Sequence, residues 1–197
     1  MGDSEKLAKA FELFDEANSH DPNRETWKGI EYPKEVLYAL RMTETLNDFA
    51  PNASEALKLT ARCQHICRWE IPRSNYEMNR VGYLKWRQDL KKFHAEKARE
   101  LLEKVGYPDE IIAQVEFLLL KKQLKRSEET QILEDVICLV FLKHYFEPFA
   151  KKHDDEKVVD ILQKTWRKMS DKGHQAALQL SLSDSARELV VKAVAND

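Results

Sequence analysis

The chain has 197 residues, 43% apolar and 34% charged, which fits a soluble globular protein able to bury one sizeable core. Its 32 Lys and Arg face 34 Asp and Glu, a formal net charge of -2, so charge gives no case for an extended nucleic acid or a membrane as partner and leaves room only for a local basic site. No apolar run reaches the roughly 18 residues of a bilayer span, residues 1–6 lack the apolar stretch of a secretory leader, and three cysteines cannot all pair within one chain, so a cytoplasmic single domain over 1–197 is expected, with homo-oligomer formation left open.

Helical periodicity runs through almost the whole chain, and no alternating strand pattern stands out. Leu7, Phe11, Phe14 and Ala17 mark a first helix, which His20-Asp21-Pro22-Asn23 ends. The stretch to Tyr32 reads as a loop. Pro33 suits the first turn of a second helix, with Val36, Leu37, Leu40 and Leu46 on its buried side. Ser54-Glu55 opens a third, running to about Trp69, where Ile71-Pro72-Arg73-Ser74-Asn75 forces a turn. A long fourth helix is predicted over 79–105. Tyr83, Trp86, Leu90, Phe93, Ala98 and Leu101 recur along it every three or four residues, and Gly106 caps it. Pro108-Asp109-Glu110 starts a fifth, carrying Ile111, Ile112, Val115, Leu118 and Leu119. Ser127-Glu128-Glu129 starts a sixth, which is apolar all round at 136–142 and so is expected to be the most enclosed. Residues 154–169 and 183–194 supply two more, with a short helical piece after Gly173. The predicted fold class is all-α, a single-domain multi-helix bundle.

Residues 62–94 hold the densest set of chemically usable side chains. They read Arg62-Cys63-Gln64-His65-Ile66-Cys67-Arg68-Trp69-Glu70-Ile71-Pro72-Arg73, then Lys85-Trp86-Arg87 and Lys91-Lys92-Phe93-His94. His94 shares a helical face with Leu90, Ala98 and Leu101, and His65 with Ala61 and Trp69. A lone histidine there is most often a hydrogen-bonded core residue. Asp135 stands among Ile132, Cys138, Leu139 and Leu142, and a carboxylate on such a face must be paired, bound to a metal or protonated. Three such residues on three helices can converge in a bundle core, where imidazole and carboxylate ligands suit Mn, Fe, Co or Zn. Such a divalent transition metal would activate water and hold a phosphoryl oxygen. Arg68, Arg73, Arg87, Lys91 and Lys92 could receive phosphate charge, although a solvated face is the plainer reading for most of them. Cys63 and Cys67 lack the second cysteine pair of a zinc site, and no glycine-rich phosphate loop or nucleophile elbow is present.

The strings Gln64-His65-Ile66, Phe93-His94-Ala95-Glu96-Lys97-Ala98, Gly106-Tyr107-Pro108-Asp109-Glu110-Ile111-Ile112 and Gln131-Ile132-Leu133-Glu134-Asp135 resemble, in order and spacing, the middle of HD-domain phosphohydrolases. The chain departs from that pattern at Ile66, where the family has an aspartate, and in the second helix, which has no histidine where the family's first ligand sits. A closer resemblance is to domain of unknown function 4202. It is carried by residues 62–73, Tyr83-Leu84-Lys85-Trp86-Arg87, residues 90–96, Leu133-Glu134-Asp135-Val136 and Thr165-Trp166-Arg167-Lys168-Met169-Ser170. His65-Ile66-Cys67-Arg68 and Lys168-Met169-Ser170-Asp171-Lys172 are superficially similar to aminoacyl-tRNA synthetase signatures. Cys67 stands where the first of these needs glycine, and the parallel sheet of such enzymes is not predicted.

What the HD resemblance implies is an HD-like bundle and a metal-dependent hydrolase of a small phosphorylated or nucleotide-like molecule. His65, His94 and Asp135 would be metal ligands, with Glu35 or Glu70 completing the shell. Glu134 and Glu70 are the candidate catalytic carboxylates, Glu70 standing in for the lost aspartate. Arg68, Arg73 and Lys91 would hold phosphate, and Trp69 or Trp86 would flank a base or ring. The alternative is a non-catalytic HD-like helical module that binds a ligand or partner, favoured by Ile66 and by the missing histidine.

Overall fold

The structure, a computed structural model, describes residues 3–194; the ends of the expected 1–197 span lie outside the described residues. The chain is mostly helical and divides into two compact units. One takes the residues up to Asn47 and Pro51–Lys122. The other takes Asp48–Ala50 and the residues from Gln123 onward.

The first unit opens with α1 (Asp3–Ser19), followed by a hairpin of β1 (Arg24–Trp27) and β2 (Ile30–Pro33). This hairpin corrects the expectation of a loop with no strands. Arg24 pairs with Pro33 and Trp27 with Ile30, and the two-residue turn is made by Lys28 at φ 51° and Gly29 at φ 79°. Two successive left-handed residues are what the right-handed twist of a two-residue hairpin demands. Arg41 anchors the hairpin by pairing with Glu25 at 2.5 Å. Next come α2 (Lys34–Phe49), α3 (Glu55–Cys63), α4 (Arg80–Val105) and α5 (Asp109–Leu119). Ser54 caps α3 by accepting from Leu57 N at 3.1 Å, and Asn79 caps α4 by accepting from Gly82 N at 2.8 Å. Gly106 ends α4 in the left-handed conformation, φ 82°, as the sequence predicts. Phe14, Leu59, Ile66, Leu102, Ile112 and Leu119 are central to the core of this unit. Arg62 crosses from α3 to pair with Asp15 on α1.

The second unit holds α6 (Glu128–Val140), a π-helical turn over Phe141–Tyr145, α7 (Phe146–Ala150), α8 (Asp155–Trp166), α9 (Asp171–Leu178) and α10 (Asp184–Val194). Its core gathers Leu139, Leu142, Phe146, Val158, Leu162 and Met169. Among the described residues the hairpin is the only sheet, and no helix is long and apolar enough to cross a membrane.

Candidate functional site

The third helix was expected to run to about Trp69; it stops at Cys63. Cys67 takes a left-handed backbone, φ 50°, which is strained for a residue with a Cβ. The fully buried Asn18, at the end of α1, holds it there by accepting from Cys67 N at 3.0 Å. The chain then makes a 3-10 turn over Arg68–Glu70. The bend puts His65 and Arg68 side by side, with Arg68 N donating to His65 O at 3.1 Å. Asn18→Ala should therefore cost about 1–3 kcal/mol, the penalty of an orphaned buried N–H. Denaturant unfolding would measure the loss.

Glu35 and Tyr38 lie one helical turn apart on α2 and both face His65. Glu35 Oε2 is 3.4 Å from His65 Nδ1. The Tyr38 ring stacks on the imidazole, centroids 4.0 Å apart and planes 11° apart. Arg68 Nη1 lies 2.9 Å from His65 Nε2 and 3.4 Å from Nδ1. A guanidinium only donates, so the nearer nitrogen accepts and the imidazole proton sits on Nδ1, toward Glu35. The His94 ring is 6.0 Å from that of His65, and its Nδ1 donates to Ile66 O at 2.8 Å, leaving Nε2 as the bare nitrogen. Trp86 donates from Nε1 to Ile71 O at 2.8 Å and lies under the Arg68 guanidinium at 5.0 Å. Asp21, fully buried, takes the first backbone N–H of this wall, Glu35 N, at 3.1 Å, and also two bonds from Asn23.

Burial pushes the Glu35 carboxyl up to about 7, against the pull of Arg68 and with a further push from Asp21. Burial also lowers both histidines. His94 falls to about 3, helped by His65. His65 is held well below the usual imidazole range, and Arg68, Arg87, Lys121 and Lys34 all add to that fall. At neutral pH the cluster therefore holds two uncharged imidazoles, a carboxyl near its midpoint and a surplus of positive charge.

The remaining sequence candidates sit elsewhere or are otherwise engaged. Arg73, expected on phosphate, donates to the carbonyls of Tyr76, Glu77 and Asn79 at 2.9, 2.6 and 3.2 Å and so knits its own loop. Glu70 is exposed and bonds the Cys67 thiol, whose pKa burial and that carboxylate push up to about 12. Trp69 packs on the core of the first unit, and Lys91 is half-buried on α4. Glu134 and Asp135 belong to the second unit. Lys168 Nζ is 3.9 Å from Glu134. Asp135, 1% exposed, accepts from Ser170 N and Oγ at 2.8 and 2.5 Å and from Gln131 at 3.2 Å. Those bonds account for its burial without a metal. They also explain the Lys168–Lys172 string: Ser170 caps α9 and Lys172 bonds Phe49 O at 2.8 Å.

Among the described residues no group of three or more His, Cys, Asp and Glu is placed to hold a metal ion. Glu35, His65 and His94 have the right donor types, and His94 is anchored on a carbonyl as metal ligands commonly are. His65 does not fit, because its accepting nitrogen already holds Arg68 and cations surround the ring. Sequence reading missed Asn18, Asp21 and Tyr38; their signal was slight, two polar residues beside a helix break and one tyrosine a turn after Glu35. A family model described as a domain of unknown function, DUF4202, matches residues 8–190. No curated protein and no solved structure matches the chain.

Proposed function

The chain belongs to the DUF4202 family, whose description names no activity, and from the site itself we propose a hydrolase of a small phosphorylated or nucleotide-like molecule, related at a distance to HD-domain phosphohydrolases. The observation that carries this reading is a buried carboxyl poised at about 7 beside a neutral imidazole, in a field dominated by Arg68, Arg87, Lys34 and Lys121. Structural residues rarely need that combination, whereas proton transfer near neutrality does. Arg68 receives the phosphoryl charge, and Trp86 fixes the plane of its guanidinium. Ionised Glu35 takes a proton from water as the water oxygen bonds phosphorus. The bond to the leaving oxygen then breaks, and that oxygen takes the proton back from Glu35. His65 links Glu35 to Arg68 and keeps the two in register.

A divalent transition metal, Mn, Fe, Co or Zn, would supply a polarised water there if His65 released Arg68; the residues as arranged do not fit one, and the proposed reaction has no step through it. The second reading, an HD-like module that binds without turnover, is favoured by Ile66. Its side chain is fully buried at the position of the HD aspartate, so the binding wall survives without that group. A panel of phosphomonoesters and nucleotides, assayed for phosphate release with and without each metal, separates the readings. Hydrolysis lost in Arg68→Ala supports the enzyme. Saturable binding with no turnover supports the module, and neither binding nor turnover would sink both.

A further inference from the structure

We propose that Arg68 fills the role a metal ion would otherwise play at this site, so that the phosphoryl group of the ligand binds directly to its guanidinium and binding needs no metal. This rests on the phosphorylated-ligand reading above and adds that binding is independent of any metal and is shared with Arg87. One nitrogen of Arg68 is spent on His65 at 2.9 Å, and the flat face is spent on Trp86 at 5.0 Å. The other N–H groups have no protein acceptor among the described residues, although burial makes the charge costly enough to lower the Arg68 pKa. A mostly buried guanidinium with unused donors in its fork suits a bidentate oxyanion.

A second guanidinium strengthens the case. Arg87 acts on both Arg68 and His65 as a like charge, and among the described residues it has no hydrogen-bond or carboxylate partner. Arg68 and Arg87, joined by Lys34 and Lys121, act on this site against two carboxyls, Asp21 and a Glu35 that burial drives toward its neutral form, and positive charge is in surplus. A phosphate dianion removes that surplus; a metal dication would enlarge it. The residues that would have to ligate such a dication are themselves taken, His65 by Arg68 and Glu35 by the Nδ1 proton of His65.

The test is calorimetric titration of inorganic phosphate into the full chain after treatment with chelator, repeated with Mn, Fe, Co or Zn added. Binding should be present in the chelator-treated protein and should change by less than about twofold with metal. Arg68→Ala should weaken it by about tenfold or more, Arg68→Lys less, and Arg87→Ala, on a half-buried side chain that folding tolerates better, by a few-fold. Binding that appears only after a metal is added overturns this inference and leaves the phosphorylated-ligand reading standing. No binding under any of these conditions overturns both.

Discussion

Glu35→Gln is expected to stabilise the protein above neutral pH and, on the hydrolase reading proposed above, to suppress phosphate release. The carboxyl moves from its ordinary 4.5 to about 7 in the folded chain, so between those values the native state holds a proton that the unfolded chain has released. Stability therefore falls as pH rises through that window, and the full cost is present above about 7. At about 1.4 kcal/mol per pKa unit the cost is on the order of 3 kcal/mol. Gln keeps an oxygen for His65 Nδ1 and carries no charge to desolvate. The variant should unfold at a higher temperature than wild type at pH 8, with the gap closing toward pH 5. His94 acts in the opposite sense: lowered to about 3, it is neutral in the fold, and stability is lost as pH falls from its ordinary 6.5 toward 3. If Glu35 is the proton carrier, kcat should fall by about 10²–10⁴ while stability rises. A residue kept for folding would show the reverse, a loss of stability on substitution.

Asp135→Ala should be among the most damaging single changes in the second unit. Both oxygens of Asp135 are engaged, chiefly by Ser170 at the start of α9. Gly173 on the first turn of that helix sits so close that an added Cβ would lie 2.6 Å from Asp135 Oδ1. Removing the carboxylate leaves the half-buried Ser170 N–H and hydroxyl without their acceptor and opens a void, an expected loss of about 3 kcal/mol in denaturant unfolding. The loss should be the same with and without chelator. A loss below about 1 kcal/mol, or one that appears only when a metal is present, would contradict the structural role and return Asp135 to the list of ligands.

Much of the helical plan was legible because long amphipathic helices announce themselves. The predicted stripe of Tyr83, Trp86, Leu90, Phe93, Ala98 and Leu101, with a start at about Asn79 and a cap at Gly106, gives the bounds of α4 almost to the residue, although Tyr83 is exposed and Leu102 rather than Leu101 is fully buried. The hairpin was not, because strands of four residues hold too few alternations to stand out. Its one signal, Lys28-Gly29 between Thr26-Trp27 and Ile30-Glu31, lacks the asparagine or aspartate that usually marks such a turn. The early end of α3 was hidden for another reason. Residues 64–69 have adequate helix propensity, and it is a tertiary bond, Asn18 to Cys67 N, that turns the chain. His65, His94, Arg68 and Glu35 were legible as chemistry, and the structure brings them into one cluster in the first unit. Asp135 was legible only as a buried carboxylate in need of partners. Its partner Ser170 lies 35 positions away, a distance no helical periodicity spans.

On the reading proposed above, the cluster of Glu35, His65, His94 and Arg68 takes the phosphoryl group of a small ligand. The most direct measurement is a ¹⁵N-detected spectrum of the histidine rings and arginine side chains during titration with inorganic phosphate. Saturable shifts of the His65 ring and the Arg68 guanidinium, with those of His174 and Arg99 unmoved, are the result predicted. Phosphate that leaves His65 and Arg68 unmoved while shifting other groups, or shifting none, would contradict it.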